Sequence, residues 1–135
     1  MYQGNKTKAT NAFKHARVIA EQLVQESPND APRRAVLGAI LAALVHKGAA
    51  IAEGKRAVEI LPESKDAFDG PQITATLAQI YASTGETDEA LQLLDHLLTV
   101  PYGLTVPVLK LDPTSDPLRE DPRFQALIGK HGRKL

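Results

Sequence analysis

The stretch AVLGAILAALVHKGAAIAEGKRAVEILP, residues 35–62, returns forty positions later as ATLAQIYASTGETDEALQLLDHLLTVP, residues 75–101. Leu37 aligns with Leu77, Gly38 with Ala78, Leu41 with Tyr81, Ala50 with Ala90 and Ala57 with Leu97. Pro62 and Pro101 close the two segments one residue out of register. An internal period of this size marks a stack of short helical units, because one unit cannot bury its own apolar face and needs a neighbour. The repeat defines an architecture and names no reaction.

Outward from the repeat, the chain reads as all-α. Ala9, Phe13, Ala16, Val18, Ile19, Ala20, Leu23 and Val24 recur mostly at three- and four-residue spacing and predict a helix from Lys6 to Gln25, ending near Pro28. Asn29 or Asp30 caps the next helix, with Pro32 in its first turn. This second helix is expected over Ala31 to His46, closed by Gly48, and its apolar residues face nearly every direction, which makes it the central helix. A third helix from Ala49 to Leu61 turns Ile51, Ala57, Val58 and Leu61 inward and Glu53, Lys55, Arg56 and Glu59 outward. After a polar break from Lys65 to Gly70, Pro71 opens a fourth helix on Ile73, Leu77, Ile80 and Tyr81, which Gly85 ends in a tight turn. Thr87 is expected to cap the fifth helix, with Asp88 and Glu89 at the positive end of its dipole.

The tail changes character. Prolines at 101, 107, 113, 117 and 122 exclude any long helix. Each of Asp112-Pro113, Asp116-Pro117 and Asp121-Pro122 sets a capping carboxylate before a residue suited to a first helical turn. Only Asp121 has enough chain behind it for a helix, carrying Phe124, Leu127 and Ile128 to Lys130.

Composition narrows the function. The 135 residues carry 16 basic and 16 acidic side chains, so the long-range attraction expected for a nucleic-acid or anionic-membrane partner is absent. There is no cysteine, hence no disulfide framework and no thiolate chemistry, which fits a cytoplasmic setting. Met1 to Thr7 is polar and lacks the apolar core of an export signal. The most apolar run, Ala35 to Val45, is too short for a membrane helix, which needs about 20 apolar residues.

The chemistry-bearing residues are dispersed. His15, His46, His96 and His131 lie one per segment without the pairing a zinc site needs, and are read as surface or helix-end residues. Ser27, Ser64, Ser83 and Ser115 fall at turns with no glycine frame to present a nucleophile. Asp112, Asp116 and Asp121 lack the spacing of a calcium loop, and Gly48 to Lys55 lacks the hydroxyl of a phosphate loop. Arg33-Arg34 and Lys130, His131, Arg133 and Lys134 are the basic clusters, and no interleaved aromatics accompany them for stacking on bases. No catalytic set, metal site or cofactor is expected, and the chain is read as a non-enzyme.

In the span Ala31 to Pro62, the residues Leu37-Gly38, Leu41, Ala50, Ala57 and Pro62 resemble the tetratricopeptide repeat, a helix-turn-helix unit of about 34 residues. Leu77-Ala78, Tyr81, Ala90 and Leu94 continue the resemblance in the second copy, and the forty-residue offset is one such unit plus the insertion Lys65 to Gly70. Arg34, Thr74 and Gly54 depart from the pattern, standing where the repeat usually carries aromatics. A glycine inside a helix costs about 1 kcal/mol, so a neighbouring backbone is expected close to Gly54.

Pro62 to Ala67 before Gly70-Pro71, then Leu109 to Pro113, Asp116 to Arg119 and Asp121 to Phe124, resemble the carboxy-terminal repeat region of large bacterial regulatory proteins. There such segments follow kinase, cyclase-like, winged-helix or propeller domains. The resemblance implies a right-handed solenoid of antiparallel helix pairs in a single domain. Its parts are a degenerate N-terminal helix over 5–27, repeats over 31–64 and 71–101, and a proline-rich cap over 102–135.

In the repeat family the first helix of each pair lines a concave surface. The resemblance therefore points to Ala35, Ala39, Ala42 and Ala43, with Gln72, Ala75, Gln79, Ala82 and Ser83, as a partner-binding groove. The basic and amide residues that grip chaperone carboxylate tails are replaced here by alanine, glutamine and serine, which argues against that clamp. The expected role is a protein-interaction scaffold for a protein or peptide partner or a second copy of the chain, with small-ligand sensing as the alternative. The first helix or the tail is a candidate to fill the groove as a cap, since a stack is usually stable only from about three repeats.

Overall fold

The computed structural model describes residues 2–101 and 103–132. These residues form seven α-helices and one 3-10 helix and contain no strand. Arg133 and Lys134 of the terminal basic cluster lie outside the described residues.

Helix α1, Tyr2–Glu26, buries Ala20 and Val24 against Leu37 and Leu41 of α2, Ala31–Ala43. The Asp30 side chain caps α2 by accepting from the Arg33 amide at 3.1 Å, a contact of about 1 kcal/mol. Helix α2 packs on α1, on α3 (Lys47–Ile60) and on α4 (Gly70–Ser83), as its all-round apolar character requires. Helix α5, Thr87–Leu97, packs on α4 and places Asp88 and Glu89 in its first turn.

The second helix is shorter than its sequence suggests. It stops at Ala43, and Gly48 lies inside α3 instead of ending α2. The cause is Val45, which takes the left-handed conformation at φ 64°. The Val45 amide donates to the Ala42 carbonyl and the His46 amide to the Leu41 carbonyl, satisfying the carbonyls that a helix end leaves unpaired. Forty residues on, Gly85 at φ 85° makes the same turn, with Gly85 donating to Ala82 and Glu86 to Tyr81. The repeat is thus conserved in hydrogen bonds at a place where its residues differ.

Thr87 also departs from expectation, being the first residue of α5 and not its cap. Glu86 holds the cap position without a side-chain cap bond, and its carboxylate pairs with Lys47 across the two interhelical turns. That pairing, by hydrogen bond and then by charge, lowers the Glu86 pKa.

The two pairs interlock at Gly38 and Gly54. A Cβ on Gly38 would lie 2.8 Å from Ile80 Cδ1 and 3.1 Å from the Ala50 carbonyl oxygen, and one on Gly54 would lie 2.8 Å from Leu77 Cδ1. The nearest neighbours of a Cβ on Gly54 are the α4 side chains Leu77 and Ile80, and the backbone approach expected from sequence is met where α2 meets α3, a Cβ on Gly38 lying 3.3 Å from the Gly54 amide nitrogen.

The tail forms short helical pieces, two of which start at the Asp112-Pro113 and Asp121-Pro122 pairs. Thr105 caps a short helix α6, Val106–Leu111, which carries Pro107 in its first turn and was not individually foreseen. A 3-10 helix, Pro113–Leu118, packs on α4, and α7, Pro122–Gly132, starts where Asp121 accepts from the Arg123 amide at 2.8 Å. Leu97, Leu109, Leu118 and Phe124 are almost completely buried between α4, α5 and the tail. Each such side chain contributes about 1.5–3 kcal/mol.

Candidate functional site

Helices α2 and α4 lie side by side, and seven of the nine groove residues line the channel between them. Its larger part is a cleft of about 610 Å³ lined by Ala35, Ala39, Gln72 and Gln79 together with Phe13, Val36, Ile73 and Thr76. The neighbouring part, about 320 Å³, is lined by Ala39, Ala42, Ala43, Gln79, Ile80 and Ser83, with Pro113 and Pro117 of the tail on one side. The two parts share Ala39 and Gln79 and adjoin at these residues. Ala75 and Ala82 face a closed crevice beside Leu109, Ser115 and Leu118 of the tail.

Accessibility divides the nine residues. Ala39, Ala43, Gln72, Gln79 and Ser83 are exposed. Ala35 is packed with Ala31, Ala57 and Ile73, and Ala42 joins the cluster formed with α1. Ala82 is buried, and Ala75 packs against the core that the tail completes. The tail thus covers Ala75 and Ala82 of α4, while among the described residues of α1 Phe13, 40% exposed, borders the channel.

Sequence reasoning missed Phe13, Val36, Pro113 and Pro117 as lining residues. Val36 had a signal, since an apolar residue on a fourth face of α2 needs either a neighbour or a ligand, and it is 55% exposed here. The tail was expected at the groove as a cap, but which of its residues arrive is set by the packing of the 3-10 helix on α4.

The electrostatics of the channel are sparse. Asp69 is the one ionisable residue among those lining its larger part. The perturbed groups lie elsewhere, on the α5 and α7 side. Asp121 is held below the usual carboxylate range by the Arg123 guanidinium, and the Arg123 pKa is correspondingly raised by Asp121 and Asp88. His131, read from sequence as a surface or helix-end residue, is buried, with Nε2 2.7 Å from Asp95 Oδ1. This hydrogen bond is the main reason the Asp95 pKa is lowered.

Arg33 and Arg34 are engaged within the fold and do not form a free basic patch. Arg33 donates to the Leu23 carbonyl at 2.8 Å, while Arg34 donates to the Pro28 carbonyl at 2.6 Å and to Glu53 at 2.9 Å. Glu53, expected to face outward, is half-buried by that pairing. Among the described residues no group of three or more His, Cys, Asp or Glu is arranged to hold a metal ion. No helix among them is long and apolar enough to cross a membrane.

Compared with known proteins, the chain matches no family model, no curated protein and no solved structure.

Proposed function

We propose that the chain is a tetratricopeptide-like solenoid module that binds a partner polypeptide in the α2–α4 channel and does no chemistry of its own. The observation that carries this reading is the cleft itself, mainly apolar and with Ala39 and Ala43 exposed in it, with Asp69, the Gln72 and Gln79 amides and the Ser83 hydroxyl as its exposed polar groups. Small side chains let a guest helix approach closely, and such a guest would lay an apolar face into the groove. The equivalent hydrogen-bonded turns at Val45 and Gly85 support a duplicated helix pair as the structural unit. In this reading the module serves a larger bacterial regulatory protein in the cytoplasm, as the sequence resemblance implies.

Ala39 is the position at which to test it, because it is exposed and borders both parts of the channel. Peptides selected from a displayed library against the chain should bind with Kd in the micromolar range and shift the amide resonances of Ala39, Gln72 and Gln79. Ala39→Glu with Ala43→Glu should weaken them at least about tenfold, roughly 1.4 kcal/mol, while leaving the helical signal intact. Retained binding by the folded variant would refute the placement. Ala42 is unsuitable as a probe because a glutamate there would be driven into the core.

A second reading has one observation in its favour. The 610 Å³ cleft falls within the range of small-molecule sites, about 300–1,000 Å³. A metabolite panel that raises Tm in the parent but not in Ala39→Glu would favour sensing.

A further inference from the structure

The larger part of the channel has two chemically different walls. Ala35, Val36, Ala39 and Ile40 of α2 make one of them apolar. The polar side chains lining this part, Asp69, Gln72, Thr76 and Gln79, all lie on the other wall, in steps of three, four and three residues along one face of α4. Asp69 stands at the cap position of α4 and is exposed, and among the described residues its carboxylate neither caps the helix nor enters an ion pair. The acidic residues before the other helices are engaged. Asp30 caps α2 and pairs with Arg33, Glu86 before α5 pairs with Lys47, and Asp121 before α7 pairs with Arg123. Arg33 and Arg34, at the same end of α2, are already paired with Glu26, Asp30 and Glu53. The insertion Lys65 to Gly70 that carries Asp69 sets one lysine against two aspartates.

We propose, resting on the reading of the channel as a polypeptide site, that its guest is an amphipathic helix antiparallel to α4 with a lysine or arginine in its last turn, set against the Asp69 carboxylate. The larger part of the channel brings Ala35 and Ala39 together with Gln72 and Gln79, and the smaller part brings Ala43 together with Ser83. Helices α2 and α4 therefore run in the same direction, and both begin at the Asp69 end. The negative end of a guest helix dipole is favoured beside those two positive ends, which sets the antiparallel sense. A basic side chain is favoured in the last turn of a helix by that helix's own dipole, so one residue suits both the guest and Asp69. The apolar face of the guest meets α2, and its polar flank meets the exposed Gln72 and Gln79 amides. From Asp69 to Ser83 the wall is about 21 Å long, which a guest of about 14 residues spans. An exposed ion pair contributes little, so Asp69 selects among guests by about two- to fivefold and leaves most of the affinity to the apolar face.

A displayed library of helical peptides of about 14 residues tests this on the whole chain. Leucine and alanine form the apolar face of each peptide, and one position in the first turn and one in the last vary among lysine, glutamate and glutamine. On the parent, lysine should be enriched over glutamine in the last turn by about two- to fivefold, glutamate should be depleted there, and the first turn should show no preference. On Asp69→Lys the preference at the same position should reverse to glutamate, and on Asp69→Asn it should vanish. Both variants should keep the helicity of the parent, because the Asp69 side chain is exposed and makes no cap bond. The advantage of lysine should also shrink as salt is raised.

Lysine enriched equally on the parent and on Asp69→Asn, or enriched in the first turn instead of the last, overturns the proposal. Glutamate enriched on the parent would mean that the two helix N-termini outweigh Asp69, and overturns it as well. Peptides that bind the parent and are lost with Ala39→Glu and Ala43→Glu, yet carry no charge preference, remove this inference and leave the channel reading standing. A library that yields no binder to the parent removes both. A parent whose mass doubles with concentration, with the doubling lost in Ala39→Glu, would give the channel to a second copy of the chain and overturn the proposal equally.

Discussion

The first helix pair turns on Val45 and the second on Gly85, with the same hydrogen bonds and opposite suitability for the conformation. A left-handed residue with a side chain costs roughly 1–2 kcal/mol, and a β-branched one is at the unfavourable end. Glycine escapes that cost. The pairs differ again at their buried seams, where α3 has Gly54 and the corresponding residue of α5 is Leu94. Gly54 makes room for Leu77 and Ile80 of the following pair, whereas Leu94 is itself buried beside Leu104 and Leu109 of the tail. A repeat unit can therefore keep its backbone and exchange which side of a contact supplies the atoms.

The largest test of this comparison is Gly54→Leu, which copies the second pair into the first. Leu77 and Ile80 already occupy the space, so overpacking should lower stability by about 3 kcal/mol in a urea titration. An unchanged midpoint would mean that α3 and α4 separate at little cost. Exchanging the turn residues comes next. Gly85→Val should destabilise by about 1–2 kcal/mol. Val45→Gly should stabilise by about 0.5–1 kcal/mol, the relief of the left-handed cost being partly offset by the flexibility of glycine in the unfolded chain. Val45 is 84% exposed, so little packing is lost, and equal effects at the two positions would contradict the assigned conformations.

The smallest effect concerns Asp95 and His131, a contact of the second pair with no counterpart in the first. Because the folded pKa of Asp95 lies below the ordinary 3.8, its contribution is complete above the unfolded value and is lost as pH falls through the folded one. Asp95→Asn should lower Tm slightly at neutral pH, and the difference from the parent should shrink below about pH 4. A difference that grows in acid would contradict the pairing.

Much of this was legible in advance. The periodicity located five helices in their correct order, and the Asp-Pro pairs located α7, because spacing and capping are local properties. Boundaries were misread where a local preference lost to a tertiary demand. Glycine usually closes a helix, so Gly48 looked like the end of α2, yet the turn formed on Val45. Thr87 looked like a cap, but the two turns are joined by Lys47 and Glu86 instead. The channel was legible through its alanines. The first helix and the tail were expected near it, but the residues they bring, Phe13, Pro113 and Pro117, were not, since nothing near them in sequence records what they touch across the fold.

The glycine joint between the pairs also bears on how the molecule folds. Each of α1 to α5 packs mainly on its chain neighbours, so the contacts are local and folding is expected to be fast. In such a stack, cooperativity resides in the contacts between units more than in the units themselves. Leu77 and Ile80, seated against Gly38 and Gly54, are that coupling, and its strength decides whether the two helix pairs melt as one body or in succession.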